Sequence, residues 1–421
     1  MIKIDLTSLA TYAESCRKIA EAEFPGLTIE AVKNLEDEYN AYPGLDKLES
    51  PHNQIVLESC LNDKIRSEAQ KAILEGRIFW EYTAAGEATR LALGPKYLIA
   101  PHNIPTDKQK LLPYVLGDRY LGQWAFEINN LALAAGLDPR EVLARQTILL
   151  IINESSRIEI IRHVQNAAFL GLAPKNFLFM IQASFPALRP EGGWHFDENT
   201  PYHLHNHGQM AMQKTMDNQI WYIGVDGQKN YLRQSDFFER LARHDDLVSY
   251  NIEDLNYLNK ALDFDTIGLA LHLGRAGFNM TMEIVPNNPE RPIKGGFCAY
   301  DPALNRDVII ETFRLHHLPP EKITHLNKNF NHYPNPTQVF KRLTEEGLFM
   351  PVVVKDGGLY FQPVQGDINF LTSTAFIIRQ NPIPLSGWKS PEDTSVALTA
   401  LAQQDAQINF ATFMATRINI Q

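Results

Sequence analysis

The segment Arg77-Ile78-Phe79-Trp80 and, just beyond it, Ala84-Ala85-Gly86-Glu87-Ala88-Thr89-Arg90-Leu91-Ala92-Leu93-Gly94-Pro95-Lys96 decide how this chain is read. A short run of β-branched and aromatic residues leading into small ones predicts a strand that opens onto a tight loop. At the C-terminal end of a parallel strand such a loop lets backbone N–H groups approach phosphate oxygens, and Arg90 and Lys96 add positive charge. The same composition also suits an ordinary surface loop, so the surrounding sequence has to decide.

Downstream, similar runs recur: Ile148–Ile152, Phe177–Ile181, Leu247–Tyr250, Met280–Val285 and Val308–Ile310. Amphipathic helices fit between them, as at Pro139–Arg145, where Asp138 offers an N-cap and Pro139 a first-turn residue that needs no donor. This alternation predicts an α/β fold, a central mixed and mostly parallel sheet flanked by helices in a Rossmann-like arrangement. Upstream, residues 1–75 carry helical periodicity at Leu9–Glu23, Ile29–Tyr39 and Lys64–Leu74. Downstream of 316, the joints Pro319-Pro320 and Pro334-Asn335-Pro336 precede a helix over Thr337–Glu346 and a strand pair within Met350–Val364. The expected division is a helical region at 1–75, a central domain at 76–315 and a small α+β region at 316–421.

A chain of 421 residues with net charge −10 is not drawn to nucleic acid or anionic lipid by broad electrostatics, so a polyphosphate would be met by a few placed cations, backbone amides and a metal. No apolar run approaches the roughly 20 residues of a membrane span. The opening Met1-Ile2-Lys3-Ile4-Asp5-Leu6-Thr7 lacks the features of a secretory signal, which leads us to expect a cytoplasmic protein. Cys16, Cys60 and Cys298 are odd in number and far apart, as reduced thiols would be.

Further motifs carry polar chemistry. Gln182 follows the Phe177–Ile181 run, and an amide can pair with a donor and an acceptor on one pyrimidine edge. His203-Leu204-His205-Asn206-His207 would place three imidazoles on one face if it were a strand, a possible zinc cluster; it equally allows His207 and Gly208 to approach a nucleotide. Asn251-Ile252-Glu253-Asp254-Leu255 sets two carboxylates at a strand end, where a hard divalent ion would bind.

Taken in order, these segments resemble the UDP-sugar pyrophosphorylases. Ala85 and Gly86 stand in the loop, Thr89-Arg90-Leu91 and Pro95-Lys96 match its signature, and Ala85, Ala88 and Ala92 replace glycines usual there. Phe169-Leu170-Gly171-Leu172, then Gln182 and Pro186-Ala187-Leu188, are similar to the uracil-side stretch. Pro201 to Gln209 resembles the loop ending in His-Gly; Asn251 to Leu255 resembles Asn-Val-Asp-Asn-Leu, with Glu253 at the aspartate and Asp254 at the asparagine. Lys294-Gly295-Gly296, Val308-Ile309-Ile310-Glu311, Leu326-Asn327-Lys328-Asn329 and Val353 to Gln362 follow in family order.

The resemblance implies the nucleotide-diphospho-sugar transferase fold and a uridylyltransferase, a pyrophosphorylase that makes UDP-sugar and pyrophosphate from UTP and a sugar 1-phosphate. It implies Arg90, Lys96 and Lys355 as catalytic cations, Ala85, Gly86, Thr89, Gln182, His207 and Gly208 at the nucleotide, and Asn251, Gly295, Gly296, Glu311, Asn327 and Asn329 at the sugar. Mg²⁺ would sit on Asp254 or Glu253. Two other readings stand beside it: a relative that binds a nucleotide or sugar nucleotide without turnover, in a regulatory or scaffold role, and a glycosyltransferase of the same fold. Oligomeric state and the identity of the sugar are not legible.

Overall fold

The computed structural model describes residues 2–86, 95–99, 115–252, 262–287, 295–316, 318–319 and 322–381, with Lys96, Asn329 and Phe330 in backbone only. Twelve strands among these form one mixed sheet. In chain order they are β1 (Gln54–Val56), β2 (Ile78–Thr83), β3 (Thr147–Ile152), β4 (Phe177–Ile181), β5 (Ile220–Ile223), β6 (Lys229–Tyr231), β7 (Asp246–Asn251), β8 (Met280–Pro286), β9 (Phe297–Asp301), β10 (Arg306–Ile310), β11 (His325–Pro334) and β12 (Thr374–Ile378). Across the sheet the order is β1-β12-β8-β11-β7-β2-β3-β4-β5-β6, with β9 pairing both β10 and β11.

The parallel heart, β7-β2-β3-β4, sits where the sequence places apolar runs. Trp80 aligns with Val248 on one side and Ile148 on the other, and Ile152 with Ile181. Every residue of β3 is buried, as expected for a strand covered on both faces. Because side chains alternate, Trp80, Leu150 and Phe179 join one core with Trp124 of the helix Leu116–Ala134, while Phe79, Leu149 and Leu178 join another under the helices Leu9–Glu23 and Asn206–Gln213. Trp80 and Trp124 meet edge to face with ring centres 5.9 Å apart. Fully burying such side chains stabilises the fold by roughly 1.5–3 kcal/mol each.

Two features depart from the sequence reading. The stretch expected to be helical also holds β1, which pairs in parallel with β12 from the far end of the described chain, Ile55 opposite Ile377. Three residues are too short to show periodicity between Pro51 and a helix at Leu57–Cys60. The other is β11, a ten-residue strand running antiparallel between β7 and β8 through the otherwise parallel region. Its register slips: Met282 faces Asn331 but Ile284 faces Asn327, so Lys328, Asn329 and Phe330 stand against Glu283 alone. Its polar sequence, His325-Leu326-Asn327-Lys328-Asn329, does not read as a buried strand.

That polarity is answered by buried ions. Lys328 Nζ donates to Glu283 Oε1 at 3.0 Å, Arg379 Nε donates to Glu283 Oε2 at 2.9 Å, and Arg379 also pairs with Asp263. On the opposite side, Lys214 pairs with Glu81, whose other oxygen accepts from Ser249 Oγ at 2.7 Å. A smaller sheet, Val352–Lys355, Gly358–Phe361, Ala187–Arg189 and His195–Asp197, packs beside the large one. Among the described residues no helix is long and apolar enough to cross a membrane.

Candidate functional site

The C-terminal ends of the parallel strands converge on a small cavity of about 60 Å³, lined by Thr83 of β2, Ser249 and Asn251 of β7, His207, Asn327 and Asn331 of β11, and Gln365 with Gly366. This is where an open α/β sheet usually meets its ligand. The loop after β2 starts beside it. Ala84 N–H donates to Ile151 O at 2.7 Å and Ala85 O accepts from Asn153 Nδ2 at 3.1 Å, so the small residues are drawn against the end of β3. Arg90 and Thr89 lie outside the described residues, and so does the side chain of Lys96.

Gln182 leaves β4 with its N–H on Ile152 O at 2.9 Å, and its Nε2 donates to Asn206 O at 3.0 Å. Its donor side is thus already engaged, at the entry to the helix Asn206–Gln213. His207 Nδ1 accepts the Gln365 N–H at 2.8 Å, and burial pushes its pKa down to about 4, so the ring is neutral near pH 7.

The three-histidine strand face is not formed. Strand pairing covers only His203–Leu204, and a helix starts at Asn206, whose φ of +59° turns the chain. His203 Nε2 sits 2.7 Å from Asp356 Oδ2, His205 is buried with Nδ1 3.1 Å from the Tyr12 hydroxyl, and His207 holds Gln365. Three imidazoles that face three partners cannot share one ion. Among the described residues no group of three or more His, Cys, Asp or Glu could hold a metal.

Gly208 was expected to give room for a ligand; its space goes to the protein's own backbone. A Cβ there would lie 2.4 Å from Pro363 C, and Gly208 N–H donates to Pro363 O at 2.9 Å. Gly295 and Gly296 are packed similarly on Asn327, whose Oδ1 accepts Gly296 N–H at 2.8 Å. Asn327 therefore both lines the cavity and fixes the glycine turn.

Glu311 follows β10, and its Oε1 lies 3.9 Å from where a Cβ on the cavity residue Gly366 would stand. Burial pushes its pKa up to about 7 against the pull of Arg314. Asp367 is likewise raised to about 7 by burial, although Arg314 Nη1 donates to both of its oxygens, at 3.3 and 3.1 Å. Two acids share one guanidinium here. Lys355 is not among the lining residues: it ends Val352–Lys355 with Nζ 5.1 Å over the Tyr360 ring, and burial lowers its pKa against the pull of Asp356. Glu253 and Asp254 lie outside the described residues, as does Lys294; Asn329 is described in backbone alone.

Of the lining, only His207, Asn251 and Asn327 were singled out in the sequence; among the residues it missed, Asn331 stands out. Asn331 is 6% exposed, and its Oδ1 is buried without a hydrogen-bond partner. A buried acceptor left unmatched costs about 1–3 kcal/mol and calls for a donor from a ligand or water. The signal for it, a third asparagine at alternate positions after Asn327 and Asn329, was present.

No family model matches this sequence, and no curated protein does. Solved structures match its fold. The UDP-N-acetylglucosamine pyrophosphorylase of Trypanosoma brucei, solved with an inhibitor, superposes with a TM-score of 0.61 over 92% of this chain and 84% of that one at 14% identity. A candidate enzyme of the same type from Entamoeba histolytica gives 0.60 over 82% and 87% at 14% identity. The UDP-glucose pyrophosphorylase of Leishmania major gives 0.58 over 91% and 78% at 13% identity. The strand order, the converging loops and these superpositions together establish that the chain has the fold of the UDP-sugar pyrophosphorylases.

Proposed function

We propose that the strand-end cavity is the active site of a UTP:sugar-1-phosphate uridylyltransferase. The observation that supports this is convergence: Thr83, His207, Asn251, Asn327 and Gly366, from widely separated segments, line one cavity beside the small-residue loop. In the reaction a phosphate oxygen of the sugar 1-phosphate attacks the α-phosphorus of UTP, the new P–O bond forms as the bond to the β-phosphate oxygen breaks, and pyrophosphate departs. The protein contributes positioning and charge neutralisation rather than a covalent step.

Ala84 to Gly86 would present backbone to the nucleotide, Gln182 Oε1 would accept from uracil, and Arg90 and Lys96 would meet the phosphates. Asn331 Oδ1 and Glu311 suit sugar hydroxyls, the first as an acceptor, the second as donor or acceptor near neutrality. Lys355 would approach the sugar phosphate from the small sheet. The described lining offers neutral oxygens with one acid beside them, a poor set for Mg²⁺, which prefers carboxylates and phosphates. The proposed ion therefore rests on Glu253 and Asp254, directly after Ile252, and no step here runs through it.

A second reading is favoured by one observation: at about 60 Å³ the cavity is well below the roughly 300 Å³ of ordinary ligand sites, with glycines filled by the protein itself. It is a protein that binds a nucleotide or sugar nucleotide without turnover. Pyrophosphate release from UTP with a panel of sugar 1-phosphates, with Mg²⁺ or EDTA, separates the two. Metal-dependent release that is lost in Lys96→Ala supports the transferase. Thermal stabilisation by UTP or UDP-glucose without release supports the binding protein, and silence in both assays overturns both.

A further inference from the structure

A second and much larger cavity, about 560 Å³, lies behind the turn Gln365–Phe370. Gln365 and Gly366 face the candidate site, whereas Asp367 and Phe370 line this other space. Its volume falls in the range of ordinary small-molecule sites.

Part of its wall is aromatic, from Tyr42, Phe349 and Phe370. The Arg314 guanidinium lies 5.4 Å over Tyr42 and 4.6 Å over Phe349, and Tyr42 stacks on Phe370 with centroids 5.9 Å apart. Leu304, half exposed, stands at the lip.

The charges on the lining are unequal in what they have left to offer. Each acid is already engaged: Asp367 by Arg314 at 3.1 Å, Glu346 by Arg342 at 2.9 Å, and Asp301 by the Tyr42 hydroxyl at 2.6 Å and Ala303 N–H at 2.8 Å. The cations are not saturated. Among the described residues Lys47 makes no ion pair, and Arg314, 6% exposed, donates through Nε to Asn40 O and through Nη1 to Asp367 and makes no hydrogen bond through Nη2. The donors left unused are cationic and sit beside aromatic rings, although Glu311 and Asp367 share the charge of Arg314.

We propose that this cavity is a second small-molecule site that takes a flat aromatic acid, its rings against Tyr42, Phe349 and Phe370 and its anionic group toward Lys47 and Arg314 Nη2. The claim is independent of what the strand-end cavity does, and no nucleotide enters its test.

Titration calorimetry of the full chain would compare 2-naphthoate with 2-naphthylmethylamine. The expected result is saturable binding of one naphthoate, with Kd on the order of 100 µM for a ligand of this size. The amine should bind at least about tenfold more weakly, because the engaged acids give it no partner. Lys47→Glu, at an exposed position, should weaken naphthoate about tenfold, and Leu304→Trp, which narrows the mouth, should weaken both ligands. Both variants should unfold at the wild-type temperature. No naphthoate binding, equal binding of the amine, or binding unchanged in either variant overturns the proposal.

Discussion

Two buried charge clusters flank the strand-end cavity, and they are built on opposite rules. Below it, Lys214 and Glu81 are both essentially inaccessible, one cation to one acid, with Ser249 carrying the contact to the lining. Beside it, Glu311 and Asp367 share the single cation Arg314. The first cluster is matched in charge, one buried cation to one buried acid. The second has an acid in excess, and burial makes it keep a proton that a surface carboxyl would have lost. A matched pair fixes geometry; a mismatched trio makes the state of the site depend on pH.

The largest effect should come from breaking the match. Lys214→Met leaves Glu81 buried without its cation and should cost about 3–5 kcal/mol in urea unfolding, whereas Lys214→Met with Glu81→Met should recover most of it. A loss below about 1 kcal/mol in the single variant would show that the pair is not the support described here.

The mismatched cluster is tested by pH. Because the Glu311 pKa is raised in the fold, its contribution is fully present below about pH 4.5 and is lost as pH climbs through 7. Glu311→Gln should therefore gain on the wild type between pH 4.5 and 8, by on the order of 3 kcal/mol at the upper end, and match it at pH 4. The neutral His207 has the opposite sign: its contribution holds above about pH 6.5 and is lost as pH falls toward 4. A pH-independent difference between Glu311→Gln and wild type would mean that the excess acid is not protonated.

Packing gives a smaller effect. Gly208→Ala places a methyl 2.4 Å from Pro363 C and should destabilise by about 1–3 kcal/mol while displacing His207 from Gln365. The smallest change in stability should come from Asn331→Leu, within about 1 kcal/mol, since it removes an unmatched acceptor. The same variant should weaken UDP-glucose binding at least about tenfold, measured by calorimetry, if Asn331 meets the ligand.

The comparison also shows what a sequence can convey. β3 and β4 were legible because strands buried on both faces read as unbroken apolar runs, β2 through its opening Ile78-Phe79-Trp80, and the helix Leu9–Glu23 through its apolar spacing. The meeting of Asn251, Asn327 and His207 was reachable through the order of motifs. Partners distant in sequence were not: Lys214 finds Glu81 across 133 residues and Arg314 finds Asp367 across 53, and nothing local marks either as a pair. Asn331 was not singled out beside Asn327, since the slip in β11 depends on its pairing with β8 rather than on the strand's own sequence. His203, His205 and His207 misled because alternation was assumed to continue through a residue that turns the chain.

β1 has a consequence for how the chain is made. It pairs with β12, and nearby Gln380 N–H donates to Glu58 Oε2 across 322 residues. On a ribosome that adds roughly 5–20 residues each second, Gln54–Val56 emerges tens of seconds before its partner exists. Until then, one edge of the sheet has open N–H and C=O groups, the condition under which chains pair with the wrong neighbour. The sheet can close only late in synthesis, so the newborn chain should depend on chaperones more than its finished stability suggests.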